Sequence, residues 1–167
     1  MNSKQLTRAA VVAAIYAVLT WILPVISYGP IQFRFSEILT LLAFYNPIYI
    51  ISITIGAAIS NLMSPLGIID IFVGTFHSFI SLYFISKSKS LFIASLYPAL
   101  FSFIIGFEII LMSTESLSFF LITSQIMLSE FIIVTIIGVP VFKALSKNSK
   151  FREVMLDEDN LNHIANS

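Results

Sequence analysis

Residues 27–37 read SYGPIQFRFSE, and this stretch decides how the rest of the chain is interpreted. A Tyr-Gly-Pro turn comes before Arg34 and Glu37, which lie three residues apart in a sequence that otherwise avoids charge over long distances. An ionisable pair in an apolar region is costly unless it lines a wet cavity or a binding site. The segment is therefore either a plain loop at a membrane surface or one wall of a binding site.

The composition around this stretch is that of a membrane protein. The 167 residues are 57% hydrophobic and 11% charged, whereas a soluble domain carries about 25% charged residues. The net charge is zero, and the absence of cysteine excludes disulfides, thiolate metal sites and a cysteine nucleophile. The first apolar run, 6–23, is too long for a cleavable signal peptide, so we expect it to remain as a membrane helix.

Hydrophobic runs separated by turn residues predict an all-α bundle of six transmembrane helices. Pro24 ends the first helix, Asn46-Pro47 separates the second from the third, and Pro98 is expected to kink the fifth. The second and third helices are short for full spans, which is tolerated where a helix borders a cavity. The expected ranges are 3–23, 35–45, 47–62, 69–86, 91–112 and 119–145.

The basic residues fall almost entirely on one side of this arrangement. Arg34 alone maps to the other side, so the positive-inside rule places both termini in the cytoplasm of a cell-membrane protein. One membrane domain over 1–147 is then followed by a polar cytoplasmic tail over 148–167. The residues predicted to be cytoplasmic are Lys4, Arg8, Lys87, Lys89, Lys143, Lys147, Lys150 and Arg152.

Acidic residues outside the tail map to the opposite, outer half of the predicted bundle. Glu130 lies deepest, about 16 Å along the sixth helix at about 1.5 Å per residue, and its own helix offers no outer basic partner. Such a carboxylate must be protonated or meet a cation or donors from other helices. The alternative is a helix–helix hydrogen bond with Gln125 or Asn61. The acids of the outer half are Glu37, Asp70, Glu108, Glu115 and Glu130.

For the other charged residues, a structural role remains an alternative to a binding role. Arg34 and Glu37 could pair with each other at the membrane interface. Asp70 could serve as an acid favoured by the dipole at the start of the fourth helix. Glu108 could extend its carboxylate to the interface, and Glu115 is expected in a solvated loop.

Several uncharged side chains are further candidates. Asn61 is the best of them because its amide both donates and accepts hydrogen bonds. His77 is interpreted as a packing residue, because one other histidine and no cysteine are too few for a metal site. Aromatic residues could stack on a planar ligand or simply lie at the membrane boundary. They are Tyr16, Trp21, Tyr28 and Phe33.

The first helix is rich in alanine, reading RAAVVAAIYA over 8–17. Small residues four positions apart let another helix approach closely. We interpret this stretch as a packing face for a neighbouring protein, with packing inside the same bundle as the alternative. The alanines are Ala9, Ala10, Ala13, Ala14 and Ala17.

No nucleotide-binding or hydrolase motif is present in the sequence. It contains no Walker A sequence, no glycine-rich dinucleotide loop, no GxSxG and no HExxH. We therefore expect no cofactor and no catalytic residue. Uphill transport would have to draw its energy from an ion gradient or from partner subunits.

The six-helix layout, the alanine-rich first helix, and the segments YGPIQFRFSE (28–37) and SNLMSPLGIIDIFVGT (60–75) resemble the QueT family. The resemblance covers roughly residues 5–145. Members are substrate-binding S components of energy-coupling factor (ECF) transporters assigned to queuosine precursors. The resemblance implies capture of the substrate at the outer face and uptake driven by a membrane coupling protein and two ATPase subunits. It also implies docking on the coupling protein through Ala10 and Ala14, which match an Ala-x-x-x-Ala pattern.

The implied cargo, a 7-deazaguanine, would suit the polar residues of the outer half. One carboxylate can accept two adjacent N–H donors of the pyrimidine edge. The cationic amine of a 7-aminomethyl precursor would want a second carboxylate. The expected roles are Glu130 or Glu37 for the pyrimidine edge, Arg34 or Asn61 for the carbonyl, Asp70 or Glu108 for the amine, and Phe33, Tyr28 or Trp21 for stacking.

Two other functions remain open from the sequence alone. The chain could be an S component for a different vitamin or nucleobase, or a standalone proton-coupled carrier that uses its buried acids. An intramembrane enzyme would need a nucleophile or metal constellation, and the sequence offers neither.

Overall fold

The computed structural model describes residues 3–29, 31–114 and 116–155. Every regular element within these ranges is helical, which confirms the all-α prediction. Glu115 lies outside the described residues, as do Pro30 and the part of the predicted tail that runs from 156 to 167.

Six apolar helices follow the predicted order, and each end lies within one residue of its expected position. Four of them (α1, α4, α5 and α6) are long and apolar enough to cross a membrane, whereas α2 and α3 are shorter. The bounds are α1 Ser3–Ile22, α2 Phe35–Tyr45, α3 Ile48–Asn61, α4 Ile68–Lys87, α5 Leu91–Met112 and α6 Phe119–Leu145. A further helix that the sequence did not predict, α7, spans Ser149–Met155.

The connection between α1 and α2 is more ordered than the loop that the sequence predicts. Pro24 does end α1, but the residues Pro24–Ser27 form another helical turn with the proline in its first positions. The backbone N–H of Phe33 then donates to the Ile26 carbonyl at 2.8 Å and closes the loop. Gln32 adopts a left-handed backbone with φ of 48° at this point. The chain therefore enters α2 from a tightly folded connection.

Helix α5 is interrupted on both sides of Pro98, as the kink prediction anticipated. Its regular pieces are Leu91–Ala94, Tyr97–Phe101 and Phe103–Met112. The Pro98 carbonyl, which lies 3.2 Å from Nε2 of the buried His77, ties α5 to α4. His77 thus has the packing role that the sequence indicated.

Helices α2 and α6 depart from α-helical geometry where they pack against each other. Residues Phe35–Leu41 form a 3₁₀ helix and residues Phe131–Gly138 form a π-helix. The 3₁₀ helix is narrower than an α-helix, and a π-helix is wider and is frequent at functional sites. Glu37 lies within the first segment and Glu130 immediately precedes the second. Two of the buried acids therefore lie in or directly beside the irregular stretches.

Close helix packing places α1 and α2 against the rest of the bundle. Helix α1 packs on α3 and α2, α3 packs on α4, and α5 packs on α6. At Gly56 a methyl group would lie 2.8 Å from the Ala13 carbonyl oxygen and 3.0 Å from Cβ of Tyr16. The absence of a side chain at Gly56 is what allows α1 and α3 to approach this closely.

The alanines of α1 divide between two faces. Ala9, Ala13 and Ala17 are buried inside the bundle, whereas Ala10 and Ala14 are exposed. Packing inside the bundle therefore accounts for Ala9, Ala13 and Ala17, and docking of a neighbouring protein stays a prediction for Ala10 and Ala14.

The apolar core does not extend to one end of the bundle, where polar side chains are buried instead. The larger cluster of buried apolar residues contains Tyr16, Leu41, Tyr45, Tyr49 and Phe142, and a smaller one lies between α5 and α6. At the end where α1, α3 and α5 finish and α2, α4 and α6 begin, many of the buried residues are polar or charged. We refer to it as the Arg34 end.

Candidate functional site

Arg34 is buried at this end, with 6% of its surface exposed. Its Nε donates to the Ser27 carbonyl at 3.1 Å, and its Nη1 donates to Asn61 Oδ1 at 3.1 Å. Its Nη2 lies 3.8 Å from Asp70 Oδ2. The guanidinium also lies over the Tyr28 ring, 5.2 Å from the ring centroid. Three segments of the chain thus hold one positive charge in a fixed orientation.

Asn61, the last residue of α3, connects Arg34 to α4. Its Oδ1 accepts from Arg34 while its Nδ2 donates to the Asp70 backbone carbonyl at 3.0 Å. Gly74 makes room for this contact, because a methyl group there would run into the Asn61 amide and lie 2.6 Å from Asp70 Oδ1. Asn61 therefore positions Arg34 and Asp70, and it is not the partner of Glu130.

Glu37 is buried in the 3₁₀ helix and accepts a hydrogen bond from the Tyr16 hydroxyl of α1. Next to it, the hydroxyls of Thr20 and Ser36 lie 2.7 Å apart and join the same two helices. Arg34 makes its ion pair with Asp70, so the pairing of Arg34 with Glu37 considered from the sequence is not formed.

Glu130 is buried at the junction between the α-helical and π-helical parts of α6, with 4% of its surface exposed. Its Oε2 has no hydrogen-bond partner among the described residues. The preceding residue, Ser129, donates to the Gln32 carbonyl at 3.3 Å, so α6 is tied to the loop that presents Arg34.

Asp70 and Glu108 are two further buried acids, on α4 and α5. Asp70 lies in the first turn of α4, as expected for an acid near the positive end of a helix. Both oxygens of each carboxylate are buried without a hydrogen bond in the described part of the chain. Glu108 is 3% exposed, so it does not extend to the interface.

The aromatic candidates line the Arg34 end and hold its loops in place. Trp21 Nε1 donates to the Ser60 carbonyl at 3.1 Å, and the Tyr28 hydroxyl donates to the same oxygen. Burial raises the pKa of the Tyr28 phenol, which keeps this donor protonated. Phe33 packs edge-to-face on Phe35, with the ring centroids 5.3 Å apart.

Part of this network has no clear signal in the sequence. Tyr16, a candidate for stacking, is instead the hydrogen-bond donor to Glu37. Gln32 and Ser129, which the sequence does not mark as candidates, join the α1–α2 loop to α6. The π-helix that follows Glu130 also left no sign that periodicity could detect. No group of metal-ligating side chains occurs among the described residues.

We define the Arg34 cluster as the buried residues that converge at this end. It contains one guanidinium, four carboxyl groups, an amide and a phenol. Its unsatisfied carboxylate oxygens can accept hydrogen bonds or pair with a cation, so the arrangement suits a ligand rich in N–H donors. The members are Tyr16, Arg34, Glu37, Asn61, Asp70, Glu108 and Glu130.

Sequence comparison identifies the family of this chain. A family model described as QueT transporter matches residues 6–147. The queuosine precursor transporter QueT of Lactococcus lactis subsp. cremoris (strain MG1363) is 54% identical over 67 residues, which make up 39% of this chain and 39% of that protein. No solved structure matches the chain. Because the family match runs from α1 to the end of α6 and includes the whole Arg34 cluster, this chain belongs to the QueT transporter family.

Proposed function

We propose that this chain is the substrate-binding S component of an ECF importer and that it captures a queuosine precursor of the 7-deazaguanine type. The observation that carries the proposal is the Arg34 cluster. It buries several carboxylates around one arginine and leaves oxygens of Asp70, Glu108 and Glu130 without hydrogen bonds in the described part of the chain. Buried polar groups are normally satisfied, so a donor-rich ligand would complete them.

Glu130 is the primary anchor for the pyrimidine edge of the base. Its Oε2 is unpartnered among the described residues, whereas Glu37 already accepts from Tyr16. A carboxylate accepts two parallel N–H donors in bidentate geometry, and such charge-assisted hydrogen bonds are about twice as strong as neutral ones. Glu37 acts beside Glu130 as a second acceptor.

Arg34 supplies the donor for the carbonyl of the base. A guanidinium carries five N–H groups, and only part of this set is used by Ser27 and Asn61. Asn61 and Asp70 orient the guanidinium, while Tyr28 and Trp21 hold the adjoining loop. Phe33, Tyr28 and Trp21 remain the candidates for stacking on the flat faces of the base.

The membrane arrangement and the energy source complete the proposal. We place all six helices, α1 to α6, within the cell membrane, with both termini in the cytoplasm, because the basic residues other than Arg34 sort to one side. A separate coupling protein and two ATPase subunits drive uptake. Docking on the coupling protein uses Ala10 and Ala14, which are exposed side by side on α1.

The decisive experiment measures 7-aminomethyl-7-deazaguanine binding to the purified protein in detergent. Glu130→Gln and Glu37→Gln are compared with wild type, and Glu153→Gln is the matched control because Glu153 is exposed on α7. Loss of a charge-assisted hydrogen bond at Glu130 is expected to weaken binding about 10- to 100-fold. Glu37→Gln should weaken it less, and the control should leave it unchanged.

Two results would contradict parts of this assignment. If the ligand binds and neither substitution weakens it, the site lies elsewhere. If no 7-deazaguanine binds while another vitamin or nucleobase does, the chain is an S component for that compound.

A proton-coupled carrier is the second candidate, and the buried acids favour it. Glu108 and Glu130 have carboxylate oxygens with no hydrogen-bond partner among the described residues, as proton-carrying groups in transporters often do. Reconstitution of the chain alone into vesicles tests this function. Substrate uptake driven by a proton gradient, without ATPase subunits, would favour the carrier over the S component.

A further inference from the structure

The backbone of Gln32 has a conformation that is unusual for a residue with a side chain. Its φ of 48° lies in the left-handed region, and no other non-glycine residue in the described ranges has a positive φ. A side chain crowds the backbone there, so such a position favours glycine. The Gln32 N–H donates to the Gly29 carbonyl at 2.9 Å, and the Phe33 N–H donates to the Ile26 carbonyl at 2.8 Å. The loop is therefore held in a form that costs energy, and such backbone strain clusters at ligand-binding sites.

Burial alternates along the segment that leads into α2. Gln32 and Arg34 are 7% and 6% exposed, whereas Ile31 and Phe35 are 53% and 37% exposed. Arg34 has an extended backbone, and residues two apart in an extended chain lie on the same side. We infer that the side chains of Gln32 and Arg34 share the inner side of the loop.

A direct contact joins Gln32 to the part of α6 that carries Glu130. The Gln32 carbonyl accepts a hydrogen bond from Ser129 Oγ at 3.3 Å. The next residue is Glu130, whose Oε2 has no hydrogen-bond partner among the described residues. Gln32 thus lies two residues from Arg34 in the loop and is tied to the neighbour of Glu130 in α6. Arg34 and Glu130 are the two groups to which the proposed function assigns the ligand.

The carboxamide of Gln32 differs in its hydrogen bonding from the charged groups around it. A carboxylate only accepts and a guanidinium only donates, whereas an amide does both. Asn61, the amide of the Arg34 cluster, already accepts from Arg34 and donates to the Asp70 carbonyl. Gln32 is therefore the side chain suited to a ligand edge that presents a donor beside an acceptor.

We propose that Gln32 is a further substrate-binding residue whose amide pairs with a ring N–H and the adjacent ring nitrogen of the base. In a 7-deazaguanine this edge consists of the N–H of the five-membered ring and the neighbouring unprotonated nitrogen of the pyrimidine ring. The contacts assigned to Glu130 and Arg34 leave it unpaired. This inference rests on the proposed function and adds a third point of recognition. It also gives a reason for a glutamine at a position that favours glycine, because the ligand needs the side chain.

The first test measures the melting temperature of full-length Gln32→Gly in detergent and its affinity for 7-aminomethyl-7-deazaguanine. Glycine removes the amide and relieves the backbone strain. The affinity should therefore fall about 10-fold, as expected for the loss of two neutral hydrogen bonds, while the melting temperature stays at or above that of wild type. Ile31→Gly is the matched control, because it adds backbone freedom at the neighbouring exposed position. It should leave the affinity unchanged.

A second ligand tests the edge that Gln32 contacts. The same base methylated on the nitrogen of its five-membered ring cannot donate there, and wild type should bind it at least about 10-fold more weakly than the parent base. Gln32→Ala removes the amide and leaves room for the methyl group, so it should bind both compounds with similar affinity. This variant also tests the loss of the amide if Gln32→Gly fails to fold.

Four results would overturn the role of Gln32 and leave the proposed function standing. The affinity of Gln32→Gly could equal that of wild type, or the Ile31→Gly control could lose as much affinity as Gln32→Gly. The melting temperature of Gln32→Gly could fall together with its affinity, which would indicate a structural role. Gln32→Ala could still discriminate against the methylated base as wild type does. Failure of wild type to bind the parent base would overturn both proposals.

Discussion

The Arg34 guanidinium contacts acceptor groups from three different parts of the chain. Ser27 precedes it in the loop, Asn61 ends α3, and Asp70 lies in the first turn of α4. The planar guanidinium can reach all three in one orientation, which the single flexible ammonium of a lysine cannot do. The residue therefore joins the α1–α2 loop to two helices, and in the proposed site its remaining N–H groups would bind the ligand.

Replacing Arg34 with lysine should weaken ligand binding and loosen this end of the bundle. The substitution keeps the charge but leaves Asn61 Oδ1 or the Ser27 carbonyl without its donor, at a cost of about 1–3 kcal/mol for each buried unsatisfied group. Isothermal titration with the 7-deazaguanine ligand and the melting temperature in detergent measure the two effects. Both should fall.

Arg152→Lys is the matched control, because Arg152 is exposed on α7. It should match wild type in both measurements. If the Arg34→Lys protein behaves like wild type, the positive charge at this position is sufficient for binding and stability, and the geometry of the guanidinium is not required.

The sequence identified most members of the Arg34 cluster but not how they pair. Arg34, Glu37, Asp70, Glu108 and Glu130 stood out because charge is rare in apolar helices. Their pairing depends on how the helices are rotated and shifted relative to one another, which periodicity does not determine.

Neutral polar residues are harder to identify. Tyr16 binds Glu37 from a position 21 residues earlier in the chain. Gln32 and Ser129, which are 97 residues apart, meet through a backbone carbonyl. Residues of these types also occur in helices and loops without a role in any site, so their presence alone carries no signal.

At the scale of the helices, breaks in the apolar pattern were sufficient to locate the ends. Proline lacks the N–H group and ends or kinks a helix, and it does so at Pro24, Pro47 and Pro98. The 3₁₀ and π geometries of α2 and α6 were not predictable. Both geometries lie where the two helices pack against each other. The sequence of one helix does not show the shape of the helix that it packs against.

Gly56→Ala should destabilise the contact between α1 and α3. The added methyl group would lie 2.8 Å from the Ala13 carbonyl oxygen, and a backbone atom cannot move without displacing the helix. Overpacking of this kind costs about 1–3 kcal/mol. The melting temperature in detergent should fall, and ligand binding should weaken because Tyr16 moves away from Glu37.

Gly138→Ala gives the comparison. A methyl group there would lie 3.1 Å from Leu41 Cδ1 and 3.3 Å from the Ile133 carbonyl oxygen, both longer than the 2.8 Å contact at Gly56. A smaller loss of stability is therefore expected. If Gly138→Ala proves the more damaging change, the contact between α2 and α6 limits the stability of the bundle and the contact between α1 and α3 does not.

Over the whole molecule, the alanines of α1 lie on two faces, one inside the bundle and one on its surface. Its buried alanines, Ala9, Ala13 and Ala17, let α3 approach. Its exposed alanines, Ala10 and Ala14, present a surface of small side chains beside Val11 and Val18. The sequence revealed the small residues but could not assign each to a face, because both sets follow the same spacing of four.

Ala10→Trp or Ala14→Trp should abolish assembly with the coupling protein and leave ligand binding intact. The indole would occupy the space that a partner helix needs for close approach. Co-purification with the coupling protein, measured beside ligand affinity, separates the two properties.

Ala13→Trp on the buried face should instead prevent folding, and Leu121→Trp, on the exposed surface of α6, should change neither property. Loss of ligand binding in Ala10→Trp or Ala14→Trp would mean that this face packs within the bundle.

The contact between Trp21 and Ser60 has a spectroscopic consequence. Trp21 is the single tryptophan of the chain, and its indole N–H donates to the carbonyl of the residue that precedes Asn61. Its emission therefore reports on the helix end that holds Arg34. A ligand that engages the guanidinium should shift the fluorescence of the unlabelled protein, and Trp21→Phe should remove the signal. The chain carries its own optical reporter for occupancy of the site.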